Sequence, residues 1–308
     1  MAVTALALRA LGLGDLLTTV PALRALRRSG MRVVLAAPTW LREIADLTDA
    51  VSVLLPTADM TDLSWHGPVD LAVNLHGKGP RSHERLLALA PDRLWAYAHP
   101  DVPEVKGPEW DEEEHEVARW CRLLTWYGLA ADPGDLTLRR PRLRRPEPGT
   151  VVVHPGGKGT ARRWPPERFA EVARELSRRG HPVVLTGNAR ERPLALQVAT
   201  AARLPLSTAL AGRTSMRELC ALVADAHLLV STDTGIAHLA TAYGTPSVVV
   251  FGPESPSRWG PPPDRPQHRV LHRGPDPRAV TVAEVLAAAT DRGGNLQELS
   301  GHHFKRRK

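Results

Sequence analysis

Four short segments of this chain carry residue types that could do chemistry. The first is Gly12-Leu13-Gly14-Asp15-Leu16, where two glycines permit a tight turn and Asp15 falls at the start of the helix that follows. An aspartate there can be an N-cap, or a carboxylate at a cleft mouth that takes a proton from a substrate hydroxyl. The dinucleotide-binding fingerprint is not met, because its third glycine position is Leu17. The second segment, His154-Pro155-Gly156-Gly157-Lys158-Gly159-Thr160-Ala161-Arg162-Arg163-Trp164-Pro165, joins three glycines to Lys158, Arg162 and Arg163. Exposed backbone amides beside cations suit a phosphate or diphosphate. It is not a Walker loop, having no Gly-Lys-Ser/Thr at the required spacing. The third segment, Ser231-Thr232-Asp233-Thr234-Gly235-Ile236-Ala237-His238, runs from a strand into a helix. Amides at that helix start, with the threonine hydroxyls, form a ready anion site, and His238 lies one turn inside. The fourth is Thr186-Gly187-Asn188-Ala189-Arg190-Glu191, where Glu191 could accept hydrogen bonds from a ribose diol. A glutamate in a helix's first turn also needs no function.

Loops of this kind sit at the C-terminal ends of parallel strands, so the elements around them matter. Apolar runs predict strands at 5–9, 32–37, 51–55 and 69–75, with helices at 15–29, 40–48 and 112–127. Pro21 removes an amide from the first helix and predicts a kink or a short first turn there. The acidic stretch DEEEHE ahead of residue 117 has no metal-ligand spacing and reads as charge favourable to a helix N-terminus. Residues 139–149, rich in Arg and Pro, read as an exposed linker. Strand patterns then resume at 151–155, 182–187, 227–232 and 247–252, the last clear one, with helices at 167–179, 215–224 and 235–243. Two successive βαβ arrays predict two Rossmann-like domains, residues 1–145 and 150–300, before a disordered basic tail at 301–308.

Composition excludes several classes. The chain has 308 residues, enough for two domains at about 150 residues each, and 43% hydrophobic content, which rules out general disorder. The net charge of +7 would suit a nucleic acid, but aromatics are 5% and the loaded motifs sit at strand ends. Five arginines in 139–145 and four cations in 305–308 exceed that net charge, so the rest of the chain is slightly negative. A nucleic acid is therefore not the expected partner. Cys121 and Cys220, far apart, give neither a disulfide framework nor a zinc site and fit a reducing compartment. The apolar N-terminal stretch, interrupted by Arg9 and lacking a basic leader, reads as a buried first strand rather than a signal.

The collinear order G-x-G-D (12–15), H-P-G-G…R-R-W-P (154–165), G-x-x-x-E (187–191) and D-T-G-x-x-H-L-A (233–240) resembles glycosyltransferase family 9, the heptosyltransferase-like enzymes. The segment Phe251-Gly252-Pro253…Arg258-Trp259 agrees. The resemblance implies an α/β GT-B fold, two Rossmann-like domains facing across a cleft. It implies an acceptor-binding N-terminal domain, a nucleotide-sugar-binding C-terminal domain, and inverting transfer without metal or other cofactor. The absence of a D-x-D motif agrees with the last point. By matching position, Asp15 is the general base, and Gly156, Gly157 and Arg162 lie in the donor-phosphate loop, with Lys158 and Arg163 able to share the role. Glu191 falls near the ribose and Thr214 near the nucleotide base, while Asp233, Thr234, Gly235 and His238 face the diphosphate. On the acceptor side stand Gly14, His76 and Lys78. Arg162 departs from the lysine usual in the family; it keeps the charge and adds fork geometry. ADP-heptose is the best single expectation for the donor, with a glycan, lipid-linked or small-molecule acceptor. The expected protein is a cytoplasmic monomer, with association at the inner membrane face left open. The alternatives are a GT-B-fold nucleotide-sugar epimerase, which needs no acceptor, and a non-catalytic nucleotide-sugar-binding protein.

Overall fold

The computed structural model describes residues 3–143, 145–157, 159 and 162–290. Lys158 and the tail at 301–308 lie outside them. The first half of the chain runs β1 (Thr4–Leu8), α1 (Leu13–Thr18), α2 (Val20–Arg28), β2 (Arg32–Ala37), α3 (Arg42–Leu47), β3 (Val53–Pro56), β4 (Leu71–Asn74), α4 (Arg81–Leu87), β5 (Leu94–Trp95) and α5 (Glu116–Trp126). The second half runs β6 (Val151–His154), α6 (Pro166–Arg178), β7 (Val183–Leu185), α7 (Arg192–Ala201), α8 (Met216–Ala224), β8 (Leu228–Thr232), α9 (Gly235–Tyr243), β9 (Ser247–Phe251), α10 (Pro256–Trp259), β10 (His268–His272) and α11 (Val282–Thr290).

Each half builds one five-stranded sheet, in the orders β3-β2-β1-β4-β5 and β10-β9-β8-β6-β7. Every pair within them is parallel. The central strands are buried on both faces, which is why TALAL, LLVST and SVVVF read as continuous apolar runs rather than alternating ones. One apolar core crosses between the halves: Leu16, Leu23, Ile44 and Leu124 share it with Val223, Ile236, Leu239 and Tyr243. A second lies within the C-terminal half, around Val151, Phe169, Val198, Val230 and Val285. Among the described residues no helix is long and apolar enough to cross a membrane.

Several elements differ from the sequence expectation. The helix expected at 15–29 is two helices, α1 and α2, with Pro21 in the first turn of α2, where its missing amide removes no helical bond. The helix expected at 112–127 begins at Glu116, because the His115 ring caps it by accepting the Val117 amide at 3.3 Å. The strand at 247–252 is not the last. β10, HRVLH, pairs outside β9 as an edge strand, only partly buried and so lacking an apolar run. The linker at 139–149 is mostly exposed, as expected, but is strapped down where Arg140 donates to Asp225 and to the Ala224 carbonyl, both at 2.9 Å.

The two halves meet most closely where α1 faces α9. A Cβ on Gly14 would lie 2.8 Å from His238 Cδ2, and a Cβ on Gly235 would lie 2.8 Å from Leu13 Cβ and 3.0 Å from the Gly14 amide. Glycine is needed at both places for closeness of approach. Alanine is ordinarily the better helix former, by up to about 1 kcal/mol, so Gly235→Ala inverts the usual sign. It should lower stability by about 1–3 kcal/mol in urea unfolding. An unchanged midpoint would mean that α1 and α9 do not pack in solution.

Candidate active site between the two sheets

In each sheet the chain first builds outward on one side of a starting strand and then continues on the other. That reversal leaves a crevice between β1 and β4 in the first sheet and between β6 and β8 in the second. Ligands of open α/β sheets bind in such crevices, beyond the strand C-termini. The first turn of α1, just after β1, carries Gly14 and Asp15, and the loop after β4 carries His76 and Lys78. The loop after β6 carries Gly156, Gly157, Arg162 and Arg163; the turn after β8 carries Asp233 and Thr234, and the start of α9 carries Gly235 and His238. The α1–α9 contact sets the two crevices against each other.

Asp15 is the third residue of α1, not its N-cap; Gly12 holds that place, and its amide donates to Asp15 Oδ2 at 3.0 Å. The side chain keeps 32% of its surface exposed. Behind it lies Arg9, which is 1% exposed. Its Nε donates to the Asp15 carbonyl at 2.9 Å, its Nη1 to the Leu75 carbonyl at 2.6 Å, and its Nη2 to Glu116 Oε1 at 3.0 Å. Nη2 also lies 3.4 Å from Asp15 Oδ1. Glu116 in turn accepts from the wholly buried Arg119 at 3.0 Å. Trp120 lies under the Arg9 guanidinium and Trp110 under that of Arg119, at 4.8 and 3.9 Å to the ring centres. Two cations and two carboxylates thus cancel.

Two imidazoles face the same carboxylate. Burial pushes His76 down to about 4, with Arg9 adding to the effect and Asp15 opposing it. Burial likewise pushes His238 down to about 4, against the pull of Asp15 and with His115 adding to it. Both rings are therefore neutral at physiological pH. Lys78 is exposed and pairs with Glu112 at 2.7 Å.

Across the cleft, Thr234 is the N-cap of α9 but gives it no side-chain hydrogen bond, so the helix presents its first-turn amides without a cap from that residue. Arg163 is exposed, its Nε donating to the Gly157 carbonyl at 3.1 Å. Arg162 is paired with Glu254, which follows β9. Glu191 uses both carboxylate oxygens on backbone, accepting the Gly157 amide at 3.0 Å and the Asn188 amide at 2.8 Å. It thereby ties the β6 loop to the turn after β7. A Cβ on Gly156 would meet Glu191 Oε1 at 2.3 Å, which accounts for glycine at that position. Thr214 is half-buried in the turn just before Ser215, the N-cap of α8.

Sequence reasoning missed Arg9, Glu116, Arg119 and Glu254. Arg9 left a signal, as the one charge interrupting an apolar strand. Glu116 was hidden in DEEEHE, where the helix-dipole reading explained its place but not its two guanidinium partners. Among the described residues no cluster of three or more His, Cys, Asp or Glu is arranged to hold a metal. The groups gathered at the crevice of the second sheet suit an anion.

Asp233 carries the most perturbed carboxyl here. Burial pushes it up to about 6, Arg162 pulls it down and Glu254 pushes it further up. A raised carboxyl binds its proton more tightly in the folded than in the unfolded chain, so its contribution to stability is greatest below about pH 4 and is lost as pH rises through 6. Asp233→Asn should therefore stabilise the fold by about 1–2 kcal/mol at pH 8, after allowance for partial exposure. The gain should fade by pH 4. Urea unfolding at the two pH values checks this, and a gain independent of pH would contradict it.

The family model for glycosyltransferase family 9 (heptosyltransferase) matches residues 109–285. Lipopolysaccharide heptosyltransferase 2 of Salmonella typhimurium is 30% identical over 182 residues, 58% of this chain and 47% of that one. The chain thus spans about half the length of the curated relatives it matches first. Among solved structures, a family 9 glycosyltransferase from Veillonella parvula superposes with a TM-score of 0.76 at 17% identity, covering 93% of this chain and 95% of that one. The E. coli ADP-heptose lipopolysaccharide heptosyltransferase II gives 0.75 at 20% identity, covering 92% and 97%. Two parallel-sheet lobes across a cleft are the GT-B fold these neighbours share. By its sequence match over more than half its length, the chain belongs to glycosyltransferase family 9.

Proposed function

We propose that this protein is an inverting, metal-independent glycosyltransferase that moves a sugar from a nucleoside-diphosphate sugar to an acceptor hydroxyl. The observation that carries the reading is the apposition of Asp15, at the crevice of the first sheet, with the α9 N-terminus and the cationic β6 loop, at the crevice of the second. The acceptor would lie on the N-terminal lobe beside Asp15, Gly14, His76 and Lys78. The donor would lie on the C-terminal lobe, with its diphosphate toward Arg162, Arg163 and residues 233–235, its ribose toward Glu191 and its base toward Thr214. Lys158 belongs to the same loop, outside the described residues.

In this mechanism Asp15 takes the acceptor hydroxyl proton as that oxygen attacks the anomeric carbon. The bond from the anomeric carbon to the diphosphate oxygen breaks on the opposite face, and the nucleoside diphosphate leaves with the electron pair. Negative charge grows on the leaving group in the transition state, so cations and helix amides placed there lower the barrier rather than merely tightening binding. Burial makes the imidazoles of His76 and His238 weak bases, and Asp15 is the partly exposed carboxylate at the crevice of the first sheet. ADP-heptose is the favoured donor, since curated relatives are heptosyltransferases by name and a structural neighbour is named for ADP-heptose. The acceptor is a glycan, lipid-linked or small-molecule hydroxyl, met in the cytoplasm or at the inner membrane face.

Asp15→Asn keeps the contact to the Gly12 amide but removes the base, so turnover should fall by roughly 10²–10⁴ while nucleotide binding persists. Wild-type-like turnover would remove Asp15 from the mechanism. A thermal-shift series with ADP, GDP, UDP and dTDP should favour ADP, since a ligand at 100 times its Kd stabilises by about 2.7 kcal/mol. A shift with UDP or dTDP alone would overturn the ADP-heptose donor.

A further inference from the structure

We infer that Arg9 is a positioning residue for Asp15, and that Glu116, itself held by Arg119, sets how much of the Arg9 charge reaches the Asp15 carboxylate. The inference rests on the reading of Asp15 as the base. Arg9 leaves the end of β1, passes beneath α1 and reaches α5, so one planar group touches the three parts of the lobe that frame the crevice. It fixes the Asp15 backbone at 2.9 Å, the Leu75 carbonyl ahead of His76 at 2.6 Å, and Glu116 at 3.0 Å. Lysine could not do this. A single ammonium has no rigid fork, whereas guanidinium directs its N–H groups along fixed, coplanar lines.

The distances set the balance of charge. Arg9 Nη2 is 3.0 Å from Glu116 Oε1 but 3.4 Å from Asp15 Oδ1, so the closer carboxylate takes the larger share. A base held in a full ion pair would be a weak one. A base beside an unshared buried guanidinium would be both tightly bound and poor at taking a proton. Glu116 prevents that, and Arg119 holds Glu116 in place from its other side at 3.0 Å. The other groups facing Asp15 are the Gly12 amide, His76 from the β4 loop and His238 from α9, with His115 beyond it. They are the same in every variant below.

The test follows the Asp15 carboxyl carbon by NMR in protein labelled at aspartate Cγ, with the signal assigned by its loss in Asp15→Asn. In Glu116→Gln the Arg9 charge falls wholly on Asp15, and its titration midpoint should move down by about half a unit to one unit. In the double variant Arg9→Gln/Glu116→Gln the midpoint should move up by a similar amount. The double variant removes one buried cation and one buried carboxylate together and so keeps the net charge around Asp15, while Arg119 retains its bonds to the Asp111 and Glu114 carbonyls. Arg9→Lys should preserve the midpoint more nearly than it preserves turnover, which should fall roughly 10- to 100-fold through loss of the fork. Midpoints that stay put in both Gln variants, or move the same way, would overturn the inference. This readout needs no substrate. A failure here is therefore separate from a failure of the base reading, which Asp15→Asn turnover tests alone.

Discussion

A buried guanidinium is the constraint around which the N-terminal lobe is arranged. Removing a charge from water costs several kcal/mol even in a relaxed protein, so Arg9 is tolerable only if its donors and its charge are met on all sides. β1 must end where Arg9 can turn inward, and β4 must offer the Leu75 carbonyl. α5 must then begin so that Glu116 and Arg119 both face inward in its first turn. Trp120 and Trp110 close the apolar walls around the two guanidinium groups. Each of these also decides where Asp15 stands. A site that must hold a carboxylate still while leaving it partly exposed gains from such a rigid support.

The second lobe answers a different requirement. Its polar groups gather where the sheet order reverses between β6 and β8, and there the surplus is of donors: helix amides, Arg162 and Arg163. Asp233 and Glu254 lie among them and keep the cluster from being simply cationic, with burial holding Asp233 part-protonated near pH 6. Gly14 and Gly235 bring this arrangement against the first. They serve as spacers between lobes, and a methyl group at either would push the two crevices apart.

Much of this fold was legible because the central strands are buried on both faces. β2, β6, β8 and β9 announce themselves as valine- and leucine-rich runs, and α6 and α9 match their expected spans closely. β10 was not legible, since an edge strand needs no apolar run to pair. α4 and α7 passed unread between motifs for want of a strong periodic signal. α5 was expected too long because the acidic stretch ahead of it looks helical, whereas the His115 ring stops the helix at Glu116.

The sequence by itself singled out the loops suited to chemistry, because glycine, aspartate, arginine and histidine packed together at strand ends have few uses in a core. It determined the family as well, through the order of those motifs. Only the tertiary structure decided that four of the loops flank two facing reversals of strand order, since reversal belongs to strand adjacency and leaves no local trace. It also decided the partners of Arg9. Residues 9, 15, 75 and 116 are as much as 107 positions apart, and nothing local in a chain records which distant carboxylate a buried cation will meet.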